Sequence, residues 1–328
     1  MLNKKHKLFG DDVAERVTTK EMNTIFNEIR KQLGTKFNKI SLTTPLSEKE
    51  THGDVDIVYV APMSDPHKEI VNALGSHVVN THRNGETFSV LYQLDIGKLV
   101  HVDFIECADE DSFTTKLQYF SYNDFSGIVG MLSKKMHFKY GSDGFFKRFR
   151  DRKGNWHDIL ISKNLMDGLK ILGWNPSKFN SIKIVDDIST FILSSPMFDS
   201  KYVHPASLNQ SDKKSYKRPV IKHVVDELRL ANKSATVVDE DYFFKEYFYS
   251  KYKEVERIKD EINKDIPVKS KYNGTWLMNK FPSLTSGKKI GEILLHLSIA
   301  FGTALDNESE NDVYMVVHKY LKDHPGKE

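Results

Sequence analysis

Thr51-His52-Gly53-Asp54-Val55-Asp56-Ile57-Val58-Tyr59-Val60 opens on two carboxylates and runs into β-branched and aromatic residues. Residues of that kind favour a pleated, half-buried strand. Side chains alternate along a strand, so Asp54 and Asp56 share one face while Val55 and Ile57 take the other. Gly53, just before the pair, is expected to let the backbone turn tightly at the strand mouth. A second apolar run, Lys98-Leu99-Val100-His101-Val102-Asp103-Phe104-Ile105, carries a third carboxylate at Asp103. Three carboxylates converging on one sheet face repel one another unless a cation sits among them. Hard divalent cations take oxygen ligands, and Mg²⁺ usually completes its shell with phosphate oxygens and water. That chemistry points toward two-metal phosphoryl or nucleotidyl transfer.

An Asp-x-Asp pair beside Gly is also common in a solvated turn. Here the pair opens an apolar strand, where charge is unexpected without a use. The third Asp lies on a separate apolar run. Upstream, Ser41-Leu42-Thr43-Thr44 follows the strand-like Lys39-Ile40, and the hydroxyls and amides of Thr43 and Thr44 are expected to hold triphosphate oxygens.

This constellation resembles the DNA polymerase β-like nucleotidyltransferase superfamily. Its members carry, in order, a Gly-Ser pair, a short loop, Gly-Asp-x-Asp on a strand, and an Asp on a later strand. Asp54, Asp56 and Asp103 match the three carboxylates in kind, order and approximate spacing. Thr43-Thr44 stand where the family has Gly-Ser: Thr44 offers a hydroxyl as Ser does, while Thr43 lacks the conformational freedom of Gly. The resemblance implies an α+β fold, a palm of mixed sheet with flanking helices followed by a mostly helical C-terminal region. It also implies an enzyme that transfers a nucleoside monophosphate from a nucleoside triphosphate, ATP foremost, to a 3′-hydroxyl. Asp54 and Asp56 would hold the metal on the triphosphate, Mg²⁺ or Mn²⁺. Asp103 would share a second metal and help deprotonate the attacking hydroxyl. Thr43, Thr44, Gly53, Ser121 and Asp124 are the candidate nucleotide contacts, with a simple helix N-cap the favoured reading of Ser121 and Asp124.

Two further resemblances lie outside the catalytic stretch. Asn273-Gly274, Leu277-Met278, Gly287 and Ile290-Gly291-Glu292-Ile293-Leu294 resemble the C-terminal helical segment of CCA-adding tRNA nucleotidyltransferases and poly(A) polymerases. Ser121-Tyr122-Asn123-Asp124-Phe125 through Tyr140-Gly141-Ser142-Asp143-Gly144, Lys153-Gly154-Asn155-Trp156-His157-Asp158-Ile159-Leu160 and Ser194-Ser195-Pro196 are similar to nucleotidyltransferases of large bacteriophages. The first implies an RNA or tRNA-like 3′ end as acceptor; the second implies the host cytoplasm if the chain is phage-encoded, and little about substrate. Neither an Arg-Arg-Asp-Phe run nor a Glu-Asp-x-x-Arg motif is present, so selection of C and A is not expected. The rival acceptor is a protein or small-molecule hydroxyl, giving adenylylation. A different class of reading is a non-catalytic module that binds RNA or a partner on the same fold.

A chain of 328 residues is expected to form two or three domains. The catalytic unit is placed at 1–115, a mixed, mainly helical middle domain with a small hairpin at 116–265, and a helical module at 266–328. Hydrophobic residues at 39% suffice for real cores, while 28% charged residues indicate a soluble chain. No apolar run is long enough to span a bilayer, so no membrane partner is expected. The most apolar window, Ile290 to Leu305, reads as a buried core helix. Met1 to Lys7 is basic but leads into Gly10-Asp11-Asp12, so a secretory signal is not expected. The lone Cys107 reads as packing and fits a reducing cytoplasm. Net charge is only +3, but Lys147 to Lys153 and Lys213 to Arg218 cluster basic residues that are either solvated faces or RNA contacts.

Periodicity predicts an amphipathic helix over 12–33, strands over 37–43, 54–61, 87–94 and 98–105, and a helix over 64–76. Asn84-Gly85 predicts a hairpin. Beyond it, the pattern predicts a helix from Ser121–Asp124 to Lys135 and a hairpin pairing Phe145–Arg150 with Trp156–Ile161. Short helices follow at Leu165–Leu172 and Ile184–Leu193, and one long helix runs from Tyr242 to Lys264, ended by Pro267. The aromatic stripe of that helix reads as core, with stacking on bases as the lesser alternative.

Overall fold

The structure, a computed structural model, describes residues 8–9, 13–264 and 270–324. The chain divides into two compact units. The first draws on the chain up to Phe149 and on Trp156–Ile258, and the second on Arg150–Asn155 and the residues from Lys259 onward.

The first unit opens with β1 (Val17–Thr18) and α1 (Thr19–Leu33). Then come β2 (Lys39–Leu42), β3 (Thr51–His52), β4 (Val55–Val60) and α2 (Pro66–Leu74). A hairpin of β5 (Val78–Asn84) and β6 (Thr87–Gln93) leads to β7 (Leu99–Cys107) and α3 (Glu110–Phe120). Five strands make one mixed sheet in the order β2-β4-β7-β6-β5. β4 and β7 run parallel at its centre, and the remaining neighbours are antiparallel. The expected α+β layer is what the chain forms, with each predicted strand within two residues of its observed ends. Gly85, at φ 61°, supplies the left-handed backbone that the Asn84-Gly85 turn needs.

The central strands are apolar on both faces because both faces are covered. Val55, Ile57 and Tyr59 of β4 and Val100, Val102 and Phe104 of β7 pack with Ile25, Ile29 and Leu33 of α1 and Ile70 and Leu74 of α2. On the other face Val58, Val60, Ile105 and Cys107 pack beneath Phe113 of α3. Only the near half of this second face is apolar, and Asp54, Asp56, His101 and Asp103 occupy the far half.

α1 starts later than its periodicity suggests. A capping box between Thr18 and Glu21 begins the helix at Thr19, Val17 is buried in β1 opposite His52, and Val13 is exposed.

Beyond α3 come α4 (Phe125–Lys135), β8 (Phe138–Gly141), β9 (Gly144–Arg150) and β10 (Trp156–Ser162). These three strands form a second sheet in the order β10-β9-β8, one strand more than the expected hairpin. α5 (Leu165–Ile171), α6 (Val185–Leu193), α7 (Gln210–Ser215) and α8 (Pro219–Leu230) follow. The apolar faces of α5, α6 and α8 share a core with Phe125, Phe138 and Phe145. Position 115 falls inside α3, so the palm-like layer and this helical region are joined by a helix within one unit.

The stretch from Tyr242 is two helices, α9 (Tyr242–Tyr247) and α10 (Tyr249–Asn263). Phe248 leaves helical geometry at φ −136° and ψ 43°, which breaks the expected single helix. Phe244 is fully buried, whereas Tyr242, Tyr247 and Tyr249 are exposed. Pro267, the expected stop, lies outside the described residues.

Lys147, read as part of a basic surface stretch, is buried at 5% exposure, pairs with Asp241 at 2.6 Å and lies over the Phe138 ring. Arg148 makes a bidentate pair with Asp158 at 2.6 and 2.7 Å. Strand β9 faces α9 here, so its lysine meets a carboxylate instead of water. Asp241→Ala strands a buried ammonium and is expected to destabilise the fold by about 3 kcal/mol, the low end for breaking a buried pair. Lys147→Met, which removes the charge with its partner left near solvent, should cost clearly less. Urea midpoints of the two variants check the ranking.

The second unit contains α11 (Gly274–Lys280), α12 (Gly287–Phe301) and α13 (Glu310–Asp323). Leu277, Ile293, Leu297, Val313 and Val317 form its core. The apolar window is not buried all round: Leu295 and Ile299 of α12 are 64% and 75% exposed. Its periodicity is that of one buried stripe, with extra apolar residues facing out. Among the described residues, no helix is long and apolar enough to cross a membrane.

Candidate active site

The parallel register of β4 and β7 sets Asp56 directly beside Asp103. Asp54 lies two residues before Asp56 and His101 two before Asp103, so all four share the face that period two dictates. Ser89 of β6 is the register partner of Asp103 on its other side. One oxygen of Asp103 accepts hydrogen bonds from Ser89 Oγ at 2.5 Å and from His101 Nε2 at 2.8 Å. The Phe9 ring stands edge-on to the His101 imidazole, centroids 5.2 Å apart, and shields it from solvent.

The electrostatics follow from this crowding. Burial, then the charges of Asp54 and Asp103, push the Asp56 carboxyl up to about 8. Burial opposes charge on His101, but its hydrogen bond to Asp103 and the neighbouring carboxylates outweigh that and raise its pKa. Among the described residues, no side chain hydrogen-bonds the Asp56 carboxyl. One oxygen each from Asp54 and Asp103 and one ring nitrogen of His101 lie within 4.8 Å of one another. Two carboxylates and an imidazole that close, with the Asp56 carboxyl beside them, make a donor set suited to a divalent cation.

A cavity of about 370 Å³ adjoins the acidic end of the sheet. Asp54, Asp56, Thr43, Thr44, Lys49 and Arg218 are among its walls. The Thr43–Thr44 turn is tied down on two sides. Thr43 N–H donates to the Asp56 carbonyl at 3.1 Å, and Tyr122 N–H donates to the Thr44 carbonyl at 2.6 Å. Tyr122 and Asn123 both take left-handed backbone, at φ 58° and 55°, which is strained for a bulky residue. Asn123 accepts from Leu46 N–H at 3.0 Å, and the Tyr122 ring packs on Phe179, so the surroundings hold the strained turn in place.

The predicted site residues fall into two groups. Asp54, Asp56, Thr43, Thr44 and Asp124 line the cavity or its mouth, and Asp103 stands beside Asp56. The Asp124 side chain makes no cap to α4 and instead pairs with Arg218 Nη1 at 2.8 Å, which replaces the N-cap reading. Ser121 is not a cavity wall. Its hydroxyl accepts from Thr44 N–H at 3.1 Å and donates to the Leu117 carbonyl at 2.7 Å, so it supports the turn. Gly53 is not in left-handed backbone, and a Cβ there would meet only Arg16 Nη1 at 3.5 Å. The turn at the strand mouth therefore does not depend on glycine.

Arg218 was read only as part of a basic stretch, and His101, Ser89 and Lys49 were not singled out by the sequence pattern. His101 was within reach of it, since period two puts it beside Asp103. Ser89 needs the β6–β7 register, and Arg218 needs the packing of the α8 N-terminus against the Asp124 turn.

No family model matches the chain, and no curated protein matches it. Among solved structures it is similar to Leishmania infantum polymerase beta. The likeness to the ternary P/T complex has 17% identity and a TM-score of 0.34, over 41% of this chain and 59% of that one. The likeness to the ternary gap complex has 18% identity and a TM-score of 0.35, over 40% of this chain and 51% of that one. The chain thus spans 51–59% of the length of the polymerases it matches. At that similarity the α+β assignment stands on the strand order and register described above.

Proposed function

We propose that this chain is a divalent-cation-dependent nucleotidyltransferase that moves a nucleoside monophosphate from a nucleoside triphosphate to a hydroxyl acceptor. The observation that carries this reading is the β4–β7 register, which sets Asp103 beside Asp56, itself a wall with Asp54 of a cavity that also has hydroxyl and cationic walls.

Asp54, Asp56 and Asp103 are the residues that would hold the cation. When bound, it would neutralise phosphate charge and make the attacking hydroxyl more acidic. Thr43, Thr44, Lys49 and Arg218 face the same cavity and would hold the triphosphate, ATP first among the candidates. The acceptor oxygen bonds to the α-phosphorus, the bond to the bridging oxygen breaks, and pyrophosphate leaves. Asp103, whose other oxygen is fixed by Ser89 and His101, takes the proton of the attacking hydroxyl. Arg218→Ala is expected to raise KM for the triphosphate about tenfold, equivalent to about 1.4 kcal/mol, with kcat much less affected. Steady-state kinetics at fixed acceptor concentration measure the split.

For the acceptor we propose the 3′-hydroxyl of RNA, tRNA-like ends included. The support is the exposed Tyr242 and Tyr249, whose rings offer surfaces on which bases can stack, whereas the Tyr247 ring is stacked on Phe243 and covered by Lys170. A second reading, a protein or small-molecule hydroxyl, is favoured by the internal pairing of Lys147 and Arg148, which takes up two of the basic residues expected to grip phosphates. Incubation with each labelled triphosphate and Mg²⁺ or Mn²⁺ decides, in separate reactions with bulk RNA, a DNA primer, or neither. Label on RNA supports the first acceptor and label on protein the second. Absence of transfer in every reaction removes the enzyme reading and leaves a binding module on this fold.

A further inference from the structure

We infer that His101 is itself a metal ligand, and that its imidazole, added to the carboxylates proposed above, makes the site prefer a first-row transition cation such as Mn²⁺ to Mg²⁺. This rests on the metal site of the proposed function but goes beyond it, because that reading needs only oxygen donors.

Bonds of roughly 2.0–2.4 Å to a divalent cation put ligand atoms up to about 4.8 Å apart. The Asp54 oxygen, the His101 nitrogen and the Asp103 oxygen fall within that span of one another. Strand geometry holds them there: His101 and Asp103 are successive same-face residues of β7, and Asp54 precedes β4, the parallel neighbour. The imidazole is only 20% exposed as a side chain, and Phe9 stands edge-on to it, so most of it is shielded from solvent. The bond it makes now, to Asp103, joins it to another member of the same donor set. A cation arriving between the two would replace that contact.

The donor type sets the selectivity. Mg²⁺ is hard, dehydrates reluctantly and favours oxygen. An imidazole nitrogen suits first-row transition ions better than it suits Mg²⁺, the preference growing from Mn²⁺ toward Cu²⁺. Replacing one oxygen donor by nitrogen therefore weakens Mg²⁺ relative to Mn²⁺ at the same position. Ser89, which donates to Asp103, completes the outer layer by fixing which oxygen turns inward.

The test uses the full chain loaded with Mn²⁺ and pulsed electron paramagnetic resonance, which detects ¹⁴N coupling from a directly bound imidazole. The expected wild-type spectrum shows that coupling, and His101→Asp, which keeps a ligand but makes it oxygen, loses it while still binding Mn²⁺. The ratio of Mn²⁺ to Mg²⁺ affinity, from competition titrations, should fall at least about tenfold in His101→Asp, the low end of what disturbing groups around a metal costs. Bound Mn²⁺ without nitrogen coupling in the wild type overturns the inference and leaves His101 as a positioning residue for Asp103. So does a coupling that persists in His101→Asp, or failure of Mn²⁺ to bind at millimolar concentration. The wild-type spectrum decides alone if the variant does not fold. A nitrogen-coupled Mn²⁺ in a protein that transfers no nucleotide would sink the transferase reading and leave this one standing. Transfer supported by a cation with no nitrogen coupling would do the reverse.

Discussion

Asp54→Ala and Asp56→Ala are each expected to cut the proposed nucleotidyl transfer to below about one per cent of wild type, a loss of about 3 kcal/mol or more in transition-state stabilisation. Both carboxylates face the cavity, and neither is needed to hold the fold. Among the described residues, no side chain hydrogen-bonds the Asp56 carboxyl, and removing either group relieves repulsion in the cluster. Their melting temperatures are therefore expected to stay level or rise. Asp103→Ala loses activity to the same extent but also loses stability. It strands Ser89, which is 3% exposed, and the half-buried His101, both of which donate to it. An orphaned buried donor costs about 1–3 kcal/mol, so Asp103→Ala should unfold at clearly lower urea than the other two. The rates come from single-turnover transfer with the acceptor identified by labelling, and the stabilities from urea melts of the same preparations. Transfer above about one per cent in Asp54→Ala or Asp56→Ala would remove direct metal ligation from that residue.

The contrast among these three aspartates also shows what the sequence makes legible. Period two along each strand is enough to put Asp54 with Asp56, and Asp103 on the face away from Val102 and Phe104, because side-chain alternation is a property of the strand alone. The adjacency of Asp56 and Asp103 depends on register between two parallel strands, which is fixed by α1 and α2 packing on one face and α3 on the other. No local pattern carries that information. Ser121 and Asp124 illustrate the same limit. Their residue types suit an N-cap, but two consecutive left-handed residues, Tyr122 and Asn123, turn Ser121 toward Thr44 and Asp124 toward Arg218. Lys147 was readable as basic but not as buried, since its partner Asp241 arrives from a distant helix. Tertiary partners decide such side chains, and local propensity does not reach them.

Metal-free protein is expected to lose stability as pH rises from about 4 toward 8, and Asp56 is the main cause. Its carboxyl titrates near 8 in the folded chain, against an ordinary value of 3.8. Below the lower value the folded and unfolded chains both carry the proton, and the fold keeps its full stability. Between the two values the unfolded chain releases a proton that the folded chain still holds, so each step up in pH favours unfolding. Above about 8 both have released it, and the loss attributable to Asp56 is complete. His101, also raised in the fold, adds a loss of the same sign as pH passes its ordinary 6.5 and continues through the folded value. Asp56→Asn removes the ionisation. In the presence of a chelator it should melt close to wild type near pH 4 and several degrees above it at pH 8, at about 2–4 °C per kcal/mol for a unit of this size. Millimolar Mn²⁺ replaces the proton with a cation that binds only the folded chain, so it should restore the wild type at high pH and help Asp56→Asn much less. Thermal melts of both proteins across this range, with and without Mn²⁺, give the difference curve directly. A wild-type-minus-variant difference that stays flat from pH 4 to 8 would show that the Asp56 carboxyl is not confined among the other carboxylates as the register places it.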